Sequence, residues 1–267
     1  MSELSPNQQH YLKSLKQQKR SIFLARAMLS AAFFLLWETA ARLDWIDSFI
    51  FSCPSRIAAA FFLMAKNGSL FLHTGITLAE TLFSFVFVVI FGLLTAILLW
   101  LSPKLSGILD PYLVVLNSLP KSALAPLLIV WLGANMRTIV VAGISVAIFG
   151  AVLNLYTGFK EINPEKIKLI YTLHGTKKDA LLKVVLPGTI PNIINVMKVS
   201  IGLCLIGVII GEFIASRQGL GYLIIYGSQV FQLDLVILSI LILCVIAAGL
   251  YAAITFTEKL YLRKTGY

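Results

Sequence analysis

Of the 267 residues, 58% are hydrophobic and 13% charged, against about 25% charged in a soluble domain, and the mean hydropathy is +0.89. The apolar runs are continuous rather than alternating, which excludes a soluble domain and a β-barrel and points to a polytopic helical membrane protein. The net charge of +10 is spread over short loops and tails with no aromatic interleaving, a placement that excludes a nucleic-acid surface and follows the positive-inside rule.

The chain opens with MSELSPNQQHYLKSLKQQKR, polar and then basic, followed by an apolar run from Ser21. Ala40-Ala41 imitates a cleavage site, but a run of about 20 apolar positions holding Arg26, Glu38 and Arg42 reads as an uncleaved first span. Six spans are predicted, at 22–41, 76–101, 110–133, 137–157, 193–215 and 235–257. They set the organisation as a cytoplasmic tail (1–21), a transmembrane domain (22–257) containing a cytoplasmic segment (158–191), and a second cytoplasmic tail (258–267). With the N-terminus inside, fourteen lysines and arginines fall on the cytoplasmic side, among them Lys13, Lys16, Lys19, Arg20, Arg263 and Lys264. Five fall outside: Arg42, Arg56, Lys66, Arg137 and Arg217. That asymmetry places both termini in the cytoplasm.

The outer segment Asp44 to Thr74 is long, but its middle, within FSCPSRIAAAFFLMAKNG, is too short to span and predicts a helix lying at the membrane surface. The third span carries Pro111, Pro120 and Pro126 with Asn117, Ser118, Lys121 and Ser122 among apolar residues. Its prolines free backbone carbonyls, which a bilayer tolerates only beside protein or water, so a broken helix facing a polar path is expected. Lys121 either lines that path or snorkels to the cytoplasmic interface. Glu38, Glu80, Lys198 and Glu212 are further charges within spans, each requiring a partner or a cavity. Lys198 and Glu212 are 14 positions apart, about 21 Å along a helix, and cannot pair with one another, whereas Glu38 and Arg42 can pair at i, i+4.

Asn163 to Pro191 is a lysine-rich island between spans with its own capping signals. Asn163-Pro164-Glu165 predicts a helix start, with an N-cap, a proline at the first helical position and an acid in the first turn. This helix is expected to reach about Leu173, where His174-Gly175 turns the chain, with glycine free to take a positive φ. Thr176 and Asp179 form a capping box for a second helix, closed by Pro187. Two capped helices between spans suggest a docking elbow rather than a linker. After the fifth span, SRQGLGYLI holds Gly219 and Gly221 for a tight outer turn and Tyr222 for an interface. Cys53, Cys204 and Cys244 are expected to be packed small hydrophobes, and with His10, His73 and His174 they form no metal-binding spacing. No internal or inverted repeat is visible.

The stretch VVLPGTIPNIINVMKVSIGLCLIGVIIGEFIASRQGLGYLI resembles the permease subunit of binding-protein-dependent ABC importers. FSCPSRI and LDPYLVVLNSLPKSALAPLLIVWLG support the same resemblance, nearest the nitrate, sulfonate, taurine and bicarbonate branch. It covers about residues 33–264. The family signature is Glu-Ala-Ala, three residues, Gly, nine residues, Ile-x-Leu-Pro. Aligned on Leu186-Pro187, it places Val184 on the isoleucine, His174 on the glycine and Lys168-Leu169-Ile170 on Glu-Ala-Ala, so the glycine is shifted to Gly175 and the acid replaced by a base.

The resemblance implies an all-α, type I importer permease fold with six transmembrane helices. It also implies a multi-pass location in a bacterial inner membrane. A second permease copy, a dimer of ATP-binding subunits and an extracytoplasmic binding protein would be partners, alongside the lipid bilayer; no nucleic acid is expected. No cofactor is expected on this chain, with ATP and magnesium held by the partner ATPase; the chain lacks a phosphate-cradling Gly-Lys motif and is expected to be non-catalytic. The family's ATPase-coupling role carries to Glu165, Lys168, Tyr171, His174, Gly175, Thr176, Lys177, Lys178, Leu186 and Pro187, with Glu165 a candidate to replace the missing glutamate. Asn117, Ser118, Pro120, Lys121, Lys198 and Glu212 are candidates for the translocation path. Gly219, Leu220, Gly221 and Tyr222 are candidates for the outer gate or the binding-protein contact. A sulfonate-, taurine- or nitrate-like anion is the expected cargo; a thiamine-precursor pyrimidine or riboflavin-like compound is the alternative. A secondary transporter or channel would act without partners, and a membrane enzyme would need a His/Asp/Glu cluster that the sequence does not supply.

Overall fold

The computed structural model describes residues 6–265. The extreme termini lie outside the described residues, as do the side chains of His10, Lys13, Lys16, Lys19, Arg263 and Lys264. The described residues contain helices and no strand. They divide into two units, Met1–Leu63 and Met64–Tyr267.

In the first unit, α1 (Pro6–Arg42) contains the first apolar stretch, Arg20–Arg42. The predicted pair closes at its end, with Arg42 Nε donating to Glu38 Oε1 at 2.7 Å. The other Glu38 oxygen accepts from the Ser55 backbone N–H at 3.1 Å, so the acid also caps the start of α3 (Pro54–Lys66). Between them, Asp47 caps the single turn α2 (Ser48–Phe51), accepting from Phe49 N at 2.8 Å.

The second unit is built on α4 (Ser69–Leu101), α7 (Met136–Lys160) and α10 (Leu186–Ala215). Val88, Ala96, Ala147, Ala151, Leu155, Phe159, Val185, Val196 and Cys204 form their shared core. Small residues set the spacing: a Cβ at Gly207 would fall 2.8 Å from Gly143 Cα, so α7 and α10 touch backbone to backbone there. The last span, α12 (Leu233–Thr265), runs past the predicted boundary at 257. Its contact with α10 includes an ion pair between Lys198 and Glu258, residues 60 positions apart. Cys53 and Cys204 are buried as expected, but Cys244 is exposed on α12.

The third predicted span is broken. α5 (Pro103–Ser118) and α6 (Leu124–Leu132) meet at 79°, joined by a 3₁₀ turn, Lys121–Ala123. Leu119, driven extended by the following proline, has φ −62° and ψ 141° and ends the first half.

Two expectations fail in the segment between α7 and α10. Pro187 does not close a helix: α9 (Lys177–Ala180) passes through a π-turn, Leu181–Val185, directly into α10. The Leu186 N–H reaches back to the Leu181 carbonyl, five residues rather than four. This wider turn gives the Pro187 ring room where a regular α-turn would set it against the carbonyl of residue 183. Also, the residue with positive φ is His174 at 58°, not Gly175.

Candidate functional site

In the elbow between α7 and α10 both helices start where the sequence suggests. Asn163 accepts from Glu165 N at 2.9 Å and starts α8 (Pro164–Thr172). Gly175 N donates to Ile170 O at 2.8 Å and His174 N to Tyr171 O at 3.0 Å, a Schellman closure with His174 in the left-handed position usually taken by glycine. Gly175 is required for a different reason: a Cβ there would lie 2.5 Å from Ile170 Cγ2 and 2.8 Å from Ile170 O. The aligned family glycine therefore falls on the strained residue, and the actual glycine provides clearance beside it. His174→Gly is expected to stabilise α8 by about 1 kcal/mol, the order of an L-residue's left-handed penalty. Hydrogen exchange should report it as slower exchange across residues 165–173, with no change in α4 or α7.

Thr176 and Asp179 form the reciprocal capping box. The Thr176 hydroxyl and backbone N–H both donate to the Asp179 carboxylate, at 2.6 and 2.9 Å, and Lys183 adds a salt bridge at 3.2 Å. Together they hold the Asp179 carboxyl down at about 2, so the cap stays ionised throughout the neutral range. Lys177 Nζ donates to Leu101 O at 2.9 Å and lies over Trp100, placing a cation at the carboxyl end of α4. Ala180, Leu181 and Val185 are buried. α9 is thus anchored to the bundle and continuous with α10, whereas α8 buries none of its residues and exposes Leu169 and Tyr171, followed by Leu173. Glu165, Lys168, His174, Thr176, Lys178 and Pro187 are exposed; Lys177 and Leu186 are half-buried.

The path candidates separate into two groups. Asn117, Ser118 and Pro120 are exposed at the helix break, and Lys121 Nζ donates to the Asn117 carbonyl there. Lys198 and Glu212 do not join them. Lys198 is turned to Glu258 and the Tyr251 ring. Glu212 is 1% exposed within a polar cluster at the opposite end of α10.

That cluster was legible only in part. Glu212 Oε1 accepts from Thr77 Oγ1 at 2.6 Å, and its second oxygen accepts from Gly221 N at 2.5 Å. Thr77 Oγ1 in turn accepts from Leu220 N at 2.8 Å, and His73 Nδ1 accepts from Gly219 N at 3.0 Å. The His73 ring stacks on Tyr222, which stacks on Tyr226. Gly219, Leu220 and Gly221 are buried, with Tyr222 half-buried at the start of α11 (Leu220–Gln229). Their backbone N–H groups are spent on α4 and Glu212, so they anchor the turn that follows α10; Arg217 and Gln218 are its exposed residues. Thr77, Glu80, Thr81 and Ser84 form a buried polar stripe on α4, and their i, i+3, i+4, i+7 spacing is the signal by which sequence could have found it.

Apolar helices long enough to cross a membrane number five among the described residues, or six with the bent pair as one span. With the elbow between α7 and α10, they make a multi-pass helical membrane protein. The chain belongs to the family of binding-protein-dependent transport system inner membrane components, matching it over residues 88–260. A probable ABC transporter permease protein of Haemophilus influenzae is 31% identical, covering 82% of this chain and 89% of its own. A putative aliphatic sulfonates transport permease of Bacillus subtilis is 26% identical (86% and 83%). The formylaminopyrimidine transport permease of Halalkalibacterium halodurans is 27% identical (74% and 80%). Among solved structures, the inward-facing methionine ABC transporter MetNI has a chain that superimposes with a TM-score of 0.55 at 20% identity, covering 68% of this chain and 94% of that one. This match supports the type I importer permease fold. The chain is an ABC importer permease.

Proposed function

We propose that two copies of this chain form the membrane path of an importer in a bacterial cytoplasmic membrane. ATP is hydrolysed by a dimer of separate subunits on the inner side, and a binding protein delivers cargo to the outer side. The observation that carries this reading is the elbow. α8 presents Leu169, Tyr171 and Leu173 to the cytoplasm, each left exposed by the described residues, while the adjoining α9 runs without interruption into α10. A partner that takes hold of α8 can therefore move a membrane helix rather than a loose loop. The helix break at Asn117 to Lys121 supports a polar path beside α10.

The cargo proposed is a small sulfonate-, taurine- or nitrate-like anion, in keeping with the sulfonate permease relative. A thiamine-precursor pyrimidine or a riboflavin-like compound is the second reading, favoured by the formylaminopyrimidine relative. Reconstitution with ATPase and binding protein should give import that requires ATP and all three components. Transport by this chain alone, driven by an ion gradient, would contradict the proposal.

Within the elbow, Glu165 is proposed to replace the family glutamate, since it lies one turn before Lys168 on the exposed face of α8. Glu165→Gln is then expected to weaken ATPase co-purification several-fold while Lys168→Glu preserves it. The reverse pattern would remove Glu165 from that role.

A further inference from the structure

A cleft of about 190 Å³ opens between α7 and α10, lined by Asn154, Asn192, Asn195 and Ser200 with Gly150 at its edge. Asn154 and Asn195 are exposed in the single chain. A carboxamide turned to hydrocarbon would forfeit its hydrogen bonds, so these side chains have to face water, solute or protein. Asn192 is fixed across the cleft, its Nδ2 donating to Asn154 O at 3.4 Å. Gly158 permits this, since a Cβ there would coincide with the Asn192 amide.

The break in the third span brings two more groups to the same place. Asn117 Oδ1 lies 3.3 Å from where a Cβ at Gly150 would stand. The Lys121 ammonium donates to the backbone carbonyl of the same Asn117, so a cation sits one residue back from the cleft's own lining. Lys198, next in sequence to the lining residue Val199, contributes no charge, because it is paired with Glu258. The lining includes no carboxylate. The cleft thus combines neutral amides, which can turn their N–H donors inward, with an ammonium behind its edge and no carboxylate to balance a cation. Its volume is below the roughly 300 Å³ at which drug-sized sites begin.

We infer that this cleft is a selecting station on the path for a small monovalent oxyanion, held by the amides of Asn154, Asn192 and Asn195 and drawn in by Lys121. The inference rests on the importer reading above and assigns residues beyond the helix break to the path. Charge-assisted hydrogen bonds to an oxyanion need donors only, and both amide and ammonium supply them.

The test uses the permease–ATPase complex with Cys53, Cys204 and Cys244 replaced by alanine and a single cysteine placed by Asn195→Cys or, separately, Asn154→Cys. Each is treated with sulfonatoethyl methanethiosulfonate, an anion, and with the trimethylammonioethyl reagent, a cation. With each rate divided by that reagent's rate with free 2-mercaptoethanol, the anionic reagent is expected to react about tenfold faster, the order one nearby ammonium gives in a site of intermediate dielectric, and Lys121→Gln should abolish the preference. Two inaccessible thiols, or equal or faster reaction with the cation, would overturn the inference. ATP-dependent import by the same cysteine-free complex with its binding protein checks that it is folded. Loss of import in the native complex would count against the importer reading, whereas reagent preference reports on the cleft alone.

Discussion

Replacing Gly219 by alanine is expected to cost about 3 kcal/mol or more and to dismantle the end of the bundle around Glu212. Gly219 has φ 106° and ψ 166°, a region essentially confined to glycine. A Cβ there would also lie 2.4 Å from Glu212 Oε1 and 2.6 Å from Oε2, inside a carboxylate that cannot retreat because Thr77 and Gly221 hold both oxygens. Relieving the clash means breaking one of those bonds or the Gly219–His73 bond, leaving a buried polar group without its partner. The expected readouts are a lower melting temperature in detergent and reduced yield. Gln218→Ala, one residue away and exposed, should be close to neutral. Equal stability for the two variants would show that the cluster does not hold the turn.

Gly175→Val is expected to abolish import while leaving the bundle folded. The added Cβ meets Ile170 Cγ2 and the Ile170 carbonyl, the acceptor that closes α8. Overpacking of this kind costs about 1–3 kcal/mol, which at 1.4 kcal/mol per decade shifts the equilibrium against the ordered elbow by roughly five- to a hundredfold. Because α8 buries no side chain in the described structure, that cost falls on the orientation of α8 and not on the core around Phe159 and Val185. The melting temperature should hold while ATPase co-purification and ATP-dependent import fall together. Import at the native rate would mean that the geometry of α8 does not transmit force.

Helix starts were legible in the sequence because their causes are local. Asn163-Pro164 and the Thr176–Asp179 box each depend on residues within one turn, and both form as read. The break at Pro120 is local in the same sense. What sequence could not give depends on the partner across the bundle. Pro187 ends a helix in isolation, yet the chain absorbs it in a π-turn, where Val185 and Leu181 are buried against the core. Lys198 and Glu212 looked alike as lone charges within spans. They differ because one meets Glu258 from 60 positions away and the other meets Thr77 from 135. The asparagine cleft went unread for a related reason: Asn154 and Asn192 belong to different spans, and only the close packing of α7 on α10 sets them side by side.

The central claim is that α8 is where the ATPase takes hold. Its most direct measurement places a photo-crosslinking residue at Tyr171 and, separately, at Tyr222, in the assembled transporter. The account predicts that position 171 crosslinks to the ATP-hydrolysing subunit and position 222 does not. Absence of that product at position 171, with the complex otherwise intact and importing, would contradict it.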